Sequence, residues 1–97
     1  MTEAMYYLLL ALLQPAHGYK LMQQVKQVSN GRVCMGPGTL YGLLGKLTKA
    51  GLIVLQQEDE RRKTYSLTPQ GKQALIREYQ RIQVLIEDGK RAGVELL

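Results

Sequence analysis

The sequence predicts a mainly α-helical protein with one small β-hairpin, which places it in the α+β class. Three observations predict this class. Four segments have apolar residues at helical spacing, two short segments alternate on either side of a charged turn, and glycine or proline separates the segments. At 97 residues the chain has room for one compact domain. We expect a partner chain to supply part of its stability.

The first predicted helix runs from Met5 to Leu13 and is apolar on nearly every side. Its side chains fall on two faces, one with Met5, Leu8, Leu9 and Leu12 and the other with Tyr6, Leu10 and Leu13. A domain of this size can cover only one face of such a helix. The second face therefore predicts contact with another chain.

Glycine and proline bound the second and third predicted helices. Residues 14–18 interrupt the chain before the second helix, which ends at residues 29–31. Residues 33–35 are compatible with a short strand. Pro37 suits the first position of the third helix, and Ala50-Gly51 ends it. The buried stripe of the second helix is predicted at Leu21, Met22, Val25 and Val28. That of the third helix is predicted at Leu40, Leu43, Leu44 and Leu47.

The rest of the chain predicts a hairpin and a long helix. Residues 52–55 and 64–67 flank a charged turn, and Thr68 and Pro69 are typical of a helix start. A helix from there to the chain end would be ~43 Å long, more than the domain can cover. Its apolar seam is predicted at Leu75, Tyr79, Ile82 and Ile86. Gly89 and Gly93 continue the register weakly, which leaves open whether the helix continues past them.

Composition excludes several functions. The net charge of +5 and pI near 9.5 favour a polyanionic partner, either nucleic acid or an anionic membrane surface. The longest apolar stretch is about half of the roughly 20 residues that a membrane span needs, and Glu3 precedes it. We therefore expect no membrane span and no signal peptide, and a cytoplasmic location. Cys34 and His17 are single, which predicts no internal disulfide, no metal, no cofactor and no catalytic constellation.

Three helices followed by a hairpin with a basic turn is the order of a winged helix-turn-helix. The residues that carry this order also resemble the PadR-like family of transcriptional regulators. The matching segments are residues 9–13 with His17-Gly18-Tyr19, Gly38-Thr39-Leu40-Tyr41, Gly51-Leu52-Ile53, and residues 62–71. The resemblance covers about residues 3–75, and the single helix beyond is similar to the short subfamily.

The resemblance implies a DNA-binding regulator, most simply a repressor, whose last helix forms a homodimer. On this interpretation residues 1–68 form the winged helix-turn-helix and residues 69–97 the dimerisation helix. A two-fold dimer would place its recognition helices about one DNA turn, ~34 Å, apart, which implies a palindromic operator in double-stranded DNA. The family also implies release by a small lipophilic or aromatic effector. This chain has no Trp or Phe, and Tyr6, Tyr7 and Tyr79 fit dimer packing better than a ligand pocket.

Helical geometry selects the side chains that would contact DNA. With Leu40, Leu44 and Leu47 inward, the opposite face of the third helix carries Gly38, Thr39, Tyr41, Gly42, Gly45, Lys46 and Lys49. Lysines can neutralise phosphates or donate to guanine, and Thr39 and Tyr41 can donate to phosphate. The alternative is a merely solvated lysine face. Glycines leave few groups for base discrimination, so DNA shape is expected to contribute to specificity.

Other candidates flank this helix. Arg61, Arg62 and Lys63 in the predicted wing can bind phosphates or enter the minor groove, or they can pair locally with Glu58, Asp59 and Glu60. Tyr19 and Lys20 are placed to contact the DNA backbone, and His17 is expected to stabilise the turn. Cys34 fits a small buried hydrophobe better than a redox sensor.

The predicted dimer interface comprises Met5, Tyr6, Leu9, Leu10, Leu13, Leu75, Tyr79, Ile82 and Ile86. Two other functions compete with a DNA-binding dimer. A winged helix can serve only for protein–protein contact, which a DNA titration distinguishes. A metal-sensing repressor would need the Cys/His cluster that the sequence lacks.

Overall fold

The computed structural model describes residues 1–59 and 62–97, and for residues 57–59 and 62 it describes the backbone only. Over these residues the chain forms α1 (Glu3–Ala11), α2 (Gly18–Val28), α3 (Pro37–Lys49), β1 (Ile53–Asp59), β2 (Arg62–Leu67) and α4 (Pro69–Ala92), followed by a 3₁₀ turn (Val94–Leu96). The predicted class, mainly α with a small β-hairpin, is confirmed.

Helix α1 begins and ends two residues earlier than predicted. The Thr2 side chain accepts a hydrogen bond from the Met5 N–H at 3.1 Å, which satisfies one of the free donors of the first turn. The helix ends at Ala11, and the Gln24 side-chain amide donates to the Ala11 carbonyl at 2.6 Å. The sequence pattern missed the cap because Thr2 precedes the apolar run.

The core lies between α1, α2, α3 and the base of the hairpin. Its fully buried members include leucines from all three helices, and their contacts give one continuous cluster: Leu8, Leu9, Leu12, Leu21, Leu40, Leu44 and Leu47. Val25 and Ile53 extend this cluster toward the second helix and the first strand. The stripes predicted for α2 and α3 are confirmed at these positions, except that Val28 is exposed.

Residues Val33 to Met35 do not form the short strand that the sequence allowed. Instead the buried Ser29 hydroxyl accepts the Val33 N–H at 3.0 Å and donates to the Lys26 carbonyl at 3.2 Å. Because Ser29 satisfies the Val33 backbone locally, this segment needs no strand partner.

The hairpin pairs β1 with β2 in antiparallel register, Ile53 opposite Leu67 and Leu55 opposite Tyr65. Ala16, in the loop between α1 and α2, forms a bridge to Tyr65 from outside the two strands. The Tyr65 N–H donates to the Ala16 carbonyl at 3.0 Å, and the Ala16 N–H donates to the Tyr65 carbonyl at 3.3 Å. The hairpin is therefore attached to the helical core by its own backbone.

Helix α4 starts at the predicted cap and stops short of the chain end. The Thr68 hydroxyl accepts the Gly71 N–H at 3.0 Å and donates to the Gly51 carbonyl at 2.6 Å, which confirms the cap. The helix continues past Gly89 but ends at Ala92, because Gly93 adopts a left-handed conformation with φ of 104°. It is thus about 36 Å long at 1.5 Å per residue, rather than extending to the last residue.

Candidate nucleic-acid interface

Helix α3 turns its predicted face away from the core. Leu40, Leu44 and Leu47 are fully buried on one side. The opposite side is exposed at every position that the sequence assigned to DNA, namely Gly38, Thr39, Tyr41, Gly42, Gly45, Lys46 and Lys49. The structure therefore provides a continuous, exposed face with two lysines in its last turns.

The glycines of this face have no packing reason to be glycine. Apart from chain neighbours and the nearby backbone of α3 itself, a Cβ built at Gly38, Gly42 or Gly45 would meet no atom of the described residues within 4 Å. Their φ angles are also ordinary for a helix, so no backbone strain requires them. Because these glycines have no side chains, a ligand outside the chain can approach the α3 backbone closely.

Tyr41 differs from its neighbours on this face. About half of its side chain is exposed, but its hydroxyl end lies over Gly18, the buried first residue of α2. From the sequence, Tyr41 was predicted to contact DNA and Gly18 to belong to the turn before α2. The structure brings the two residues together.

The start of α2 lies beside this contact. Tyr19 is 66% exposed, and Lys20 is also exposed, so both side chains are available to a ligand outside the chain. His17 is the N-cap residue of α2, but it acts through its backbone carbonyl, which accepts the Leu21 N–H at 3.0 Å. Its side chain makes no capping hydrogen bond in the described part of the chain, so the expected turn-stabilising role of that side chain stays a prediction.

The wing is described in part. Lys63 is exposed on β2, and Arg62 opens that strand. Arg61 lies outside the described residues, as does the side chain of Arg62. The choice between phosphate contact and local pairing with the acidic residues 58–60 stays a prediction.

The predicted dimer residues divide into two groups. Leu9 is fully buried and Leu75 is 6% exposed within this one chain, so both belong to its own core and the structure corrects their assignment to the interface. The others keep accessible surface: Met5, Tyr6, Leu10 and Ile82 are half-buried, while Leu13, Tyr79 and Ile86 are 63%, 57% and 54% exposed. An apolar surface thus remains on α1 and on the outer part of α4.

Sequence reasoning missed a buried carboxylate between α1 and α4. The Glu78 side chain is only 6% exposed, lies 3.8 Å from the Met1 amino nitrogen and pairs with Arg81 one turn later. Burial and the neighbouring Tyr79, Tyr7 and Glu78 raise the pKa of the adjacent Tyr6 phenol. The spacing of Glu78 and Arg81 was the available signal, because residues three apart face each other on a helix.

Three further features bear on alternative functions. Cys34 is exposed, which overturns its interpretation as a buried hydrophobe. Among the side chains of residues 1–56 and 63–97, no three His, Cys, Asp or Glu groups are arranged to hold a metal ion. No helix in this part of the chain is both long and apolar enough to cross a membrane.

Three helices, a two-stranded wing and an exposed third helix define a winged-helix protein. The winged-helix DNA-binding protein F93 from STIV has the same fold, with a TM-score of 0.74 at 17% identity over 86% of this chain and 90% of that one. The sequence matches the Transcriptional regulator PadR-like family over residues 8–77. The chain therefore belongs to the PadR-like family.

Individual relatives agree with this assignment. A PadR-like transcription factor from Bacteroides fragilis has a TM-score of 0.79 and 27% identity, over 93% of this chain and 89% of that one. An uncharacterized protein in a Streptomyces fradiae transposon is 41% identical over 66% of this chain, and the Escherichia coli transcriptional regulator YqjI is 29% identical over 74%. The chain spans 18% and 35% of the length of these two curated relatives.

Proposed function

We propose that this chain is a sequence-specific DNA-binding transcriptional regulator, most simply a repressor, that binds a palindromic operator as a homodimer. The observation that carries the proposal is the exposed face of α3, where Lys46 and Lys49 stand beside open glycines. Family membership supports the same function. The net charge of +5 gives the chain the sign that a phosphate backbone attracts.

In the proposed complex α3 is the recognition helix and lies in the major groove. The open surface at Gly42 and Gly45 lets the helix backbone approach the base edges closely. Lys46 and Lys49 contact phosphate or guanine, and Thr39 contacts phosphate near the helix N-terminus. Tyr19, Lys20 and the basic wing residues 61–63 contact the flanking backbone.

The salt dependence of binding tests this interface. Duplexes are first selected from a random pool by the wild-type chain, and affinity for the selected duplex is then measured across salt concentrations. Lys46→Ala and Lys49→Ala should each lower the slope of log K against log salt by about 0.9 if each side chain neutralises one phosphate. Lys90→Ala is the matched control, because Lys90 is also exposed but lies in the last turn of α4. Lys46→Ala and Lys49→Ala variants that keep both the affinity and the slope of the wild type would refute the interface.

The homodimer is proposed from the apolar surface that α1 and α4 leave uncovered. Helix α4 extends a molecule that is 55 Å long but only 27 by 19 Å across. Tyr79, Ile82 and Ile86 follow one another along this helix at the spacing of a helix–helix seam. We propose residues 69–97 as the dimerisation element and residues 1–68 as the DNA-binding element. Truncation before about Arg77 should give a monomer with much weaker operator binding.

An effector is proposed for the space between α1 and α4. An open groove of about 330 Å³ lies there, which is within the size range of small-molecule sites, and its lining combines apolar, aromatic and charged side chains: Met1, Thr2, Glu3, Tyr6, Tyr7, Glu78, Arg81 and Ile82. A lipophilic or aromatic compound that bound there would lie next to the proposed dimer surface. Because the proposed target is the genome, we propose a cytoplasmic location. A chain with no salt-dependent affinity for any duplex would instead be a protein–protein interaction module.

A further inference from the structure

The Tyr41 phenol on α3 lies directly over Gly18, the first residue of α2. A Cβ on Gly18 would lie 2.3 Å from the Tyr41 hydroxyl oxygen and 2.8 Å from the ring carbon that bears it. Both distances are far below van der Waals contact, so any other residue at position 18 displaces the phenol. The clashing atoms are the end of a half-exposed side chain, so the phenol rather than the backbone would give way.

Among Gly18 and the three glycines of the surface that we assign to DNA, only Gly18 has such a close neighbour. At Gly38, Gly42 and Gly45 an added Cβ would meet open space, so their environment sets no limit on side-chain size. Only at Gly18 is the space filled by a residue of the recognition helix.

Tyr65 of the hairpin lies near Tyr41. Tyr65 on β2 is half-buried, and burial together with the neighbouring Tyr41 phenol raises the pKa of the Tyr65 hydroxyl. The backbone of Tyr65 is bonded to Ala16, which precedes Gly18 by two residues. Tyr41 therefore lies where α2, the recognition helix and the base of the wing come together.

We propose that Tyr41 is a positioning residue for DNA recognition: its phenol, held on Gly18, sets the angle between α2 and α3 and thereby orients the recognition helix relative to the wing. This inference rests on the proposed function, because the angle matters only if α3 and the wing bind one duplex together. It also differs from the sequence-based prediction, in which the Tyr41 hydroxyl donates to a phosphate.

Four variants test the proposal: Gly18→Ala, Tyr41→Phe, Tyr41→Ala and the double variant Gly18→Ala/Tyr41→Ala. Affinity is measured for a duplex selected by the wild-type chain and for a scrambled duplex. Gly18→Ala should lower affinity for the selected duplex by about fivefold or more, and should have less than about a twofold effect when Tyr41 is alanine, since residues in contact couple. Tyr41→Phe should stay within about twofold of wild type, because it keeps the ring.

The ratio of the two affinities separates positioning from loss of folded protein. A smaller folded fraction lowers binding to both duplexes equally, whereas a misdirected recognition helix lowers binding to the selected duplex more. If Gly18→Ala does not fold, the comparison of Tyr41→Phe with Tyr41→Ala decides. Equal losses in these two variants would assign the role to a hydroxyl contact with DNA and overturn the proposal.

Additive effects of Gly18→Ala and Tyr41→Ala would also overturn it, while leaving the proposed function intact. A wild-type chain that selects no duplex would refute the proposed function itself, and the positioning role with it. Coupled effects, a smaller affinity ratio for Gly18→Ala and a nearly silent Tyr41→Phe together support the proposal.

Discussion

Replacing Gly71 by alanine should destabilise the protein even though alanine is the better helix former. The added Cβ would lie 1.9 Å from the Leu52 carbonyl oxygen and 2.9 Å from its carbon, and both atoms are backbone. The Leu52 carbonyl also accepts the Thr68 N–H at 3.0 Å, so it cannot move without losing that hydrogen bond. Overpacking costs about 1–3 kcal/mol. We expect about 3 kcal/mol here, because the clashing atoms are backbone and no flexible side chain can move aside.

The intrinsic preference of a helix for alanine over glycine offsets about 0.5–1 kcal/mol of this cost. The net loss is therefore about 2 kcal/mol, which lowers the melting temperature by roughly 8–16 °C at about 4–8 °C per kcal/mol for a domain of this size. Thermal unfolding followed by circular dichroism measures the shift. All samples need the same protein concentration, since the proposed dimerisation would make the melting temperature depend on it.

Gly42→Ala is the matched control for Gly71→Ala. Gly42 also lies within a helix, but an added Cβ there would meet nothing within 4 Å in the described part of the chain. The same substitution should therefore raise stability by about 0.5–1 kcal/mol. A Gly71→Ala variant that melts at or above the wild-type temperature would refute the packing argument.

Three further predictions concern the dimer seam, the Tyr65 phenol and the Ser29 hydroxyl. Ile86→Glu should weaken the proposed dimer by about 100-fold or more, because it places an unpaired charge in the seam. Val84→Glu is the control, since Val84 is about as exposed but lies on the opposite face of α4. Sedimentation that shows the same dimer for both variants would contradict the seam. Because folding raises the pKa of Tyr65, its contribution to stability is complete below the unfolded value of 10.0 and is lost as pH rises through the folded pKa. Urea unfolding between neutral and strongly alkaline pH should therefore show a flatter decline for Tyr65→Phe than for wild type, and identical slopes would exclude this contribution. Ser29→Ala should cost about 0.5–1.5 kcal/mol in urea unfolding, because it removes the acceptor of the half-buried Val33 N–H, and an unchanged midpoint would show that another group accepts it.

The elements that the sequence predicted are those that local patterns determine. The leucine stripe of α3 and the Thr68-Pro69 start of α4 depend on residues within a few positions of one another, and both agree with the structure. The exposed face of α3 was predicted from the same periodicity. What it contacts outside the chain is still a prediction.

The features that the sequence did not predict depend on contacts between distant residues. Leu9 and Leu75 were assigned to a partner because each lies on an apolar face, yet α1 and α4 bury them against the chain's own core. Helical periodicity shows that a face is apolar, but it does not show which other element covers it. The fit of Tyr41 on Gly18 escaped prediction for the same reason, since the two residues are 23 positions apart in the sequence and meet only when α2 and α3 pack.

The bridge between Ala16 and Tyr65 has a consequence for how this protein can vary. Both of its hydrogen bonds join backbone atoms, so they do not depend on which side chains stand at the two positions. Proline is excluded at each, because it has no N–H to donate, and burial of Ala16 in the core also limits the size of its side chain. Relatives can therefore exchange the exposed residues around this bridge while the attachment persists. A chimera that takes its hairpin from another winged helix should keep the wing anchored, provided that the strand register opposite Ala16 is preserved.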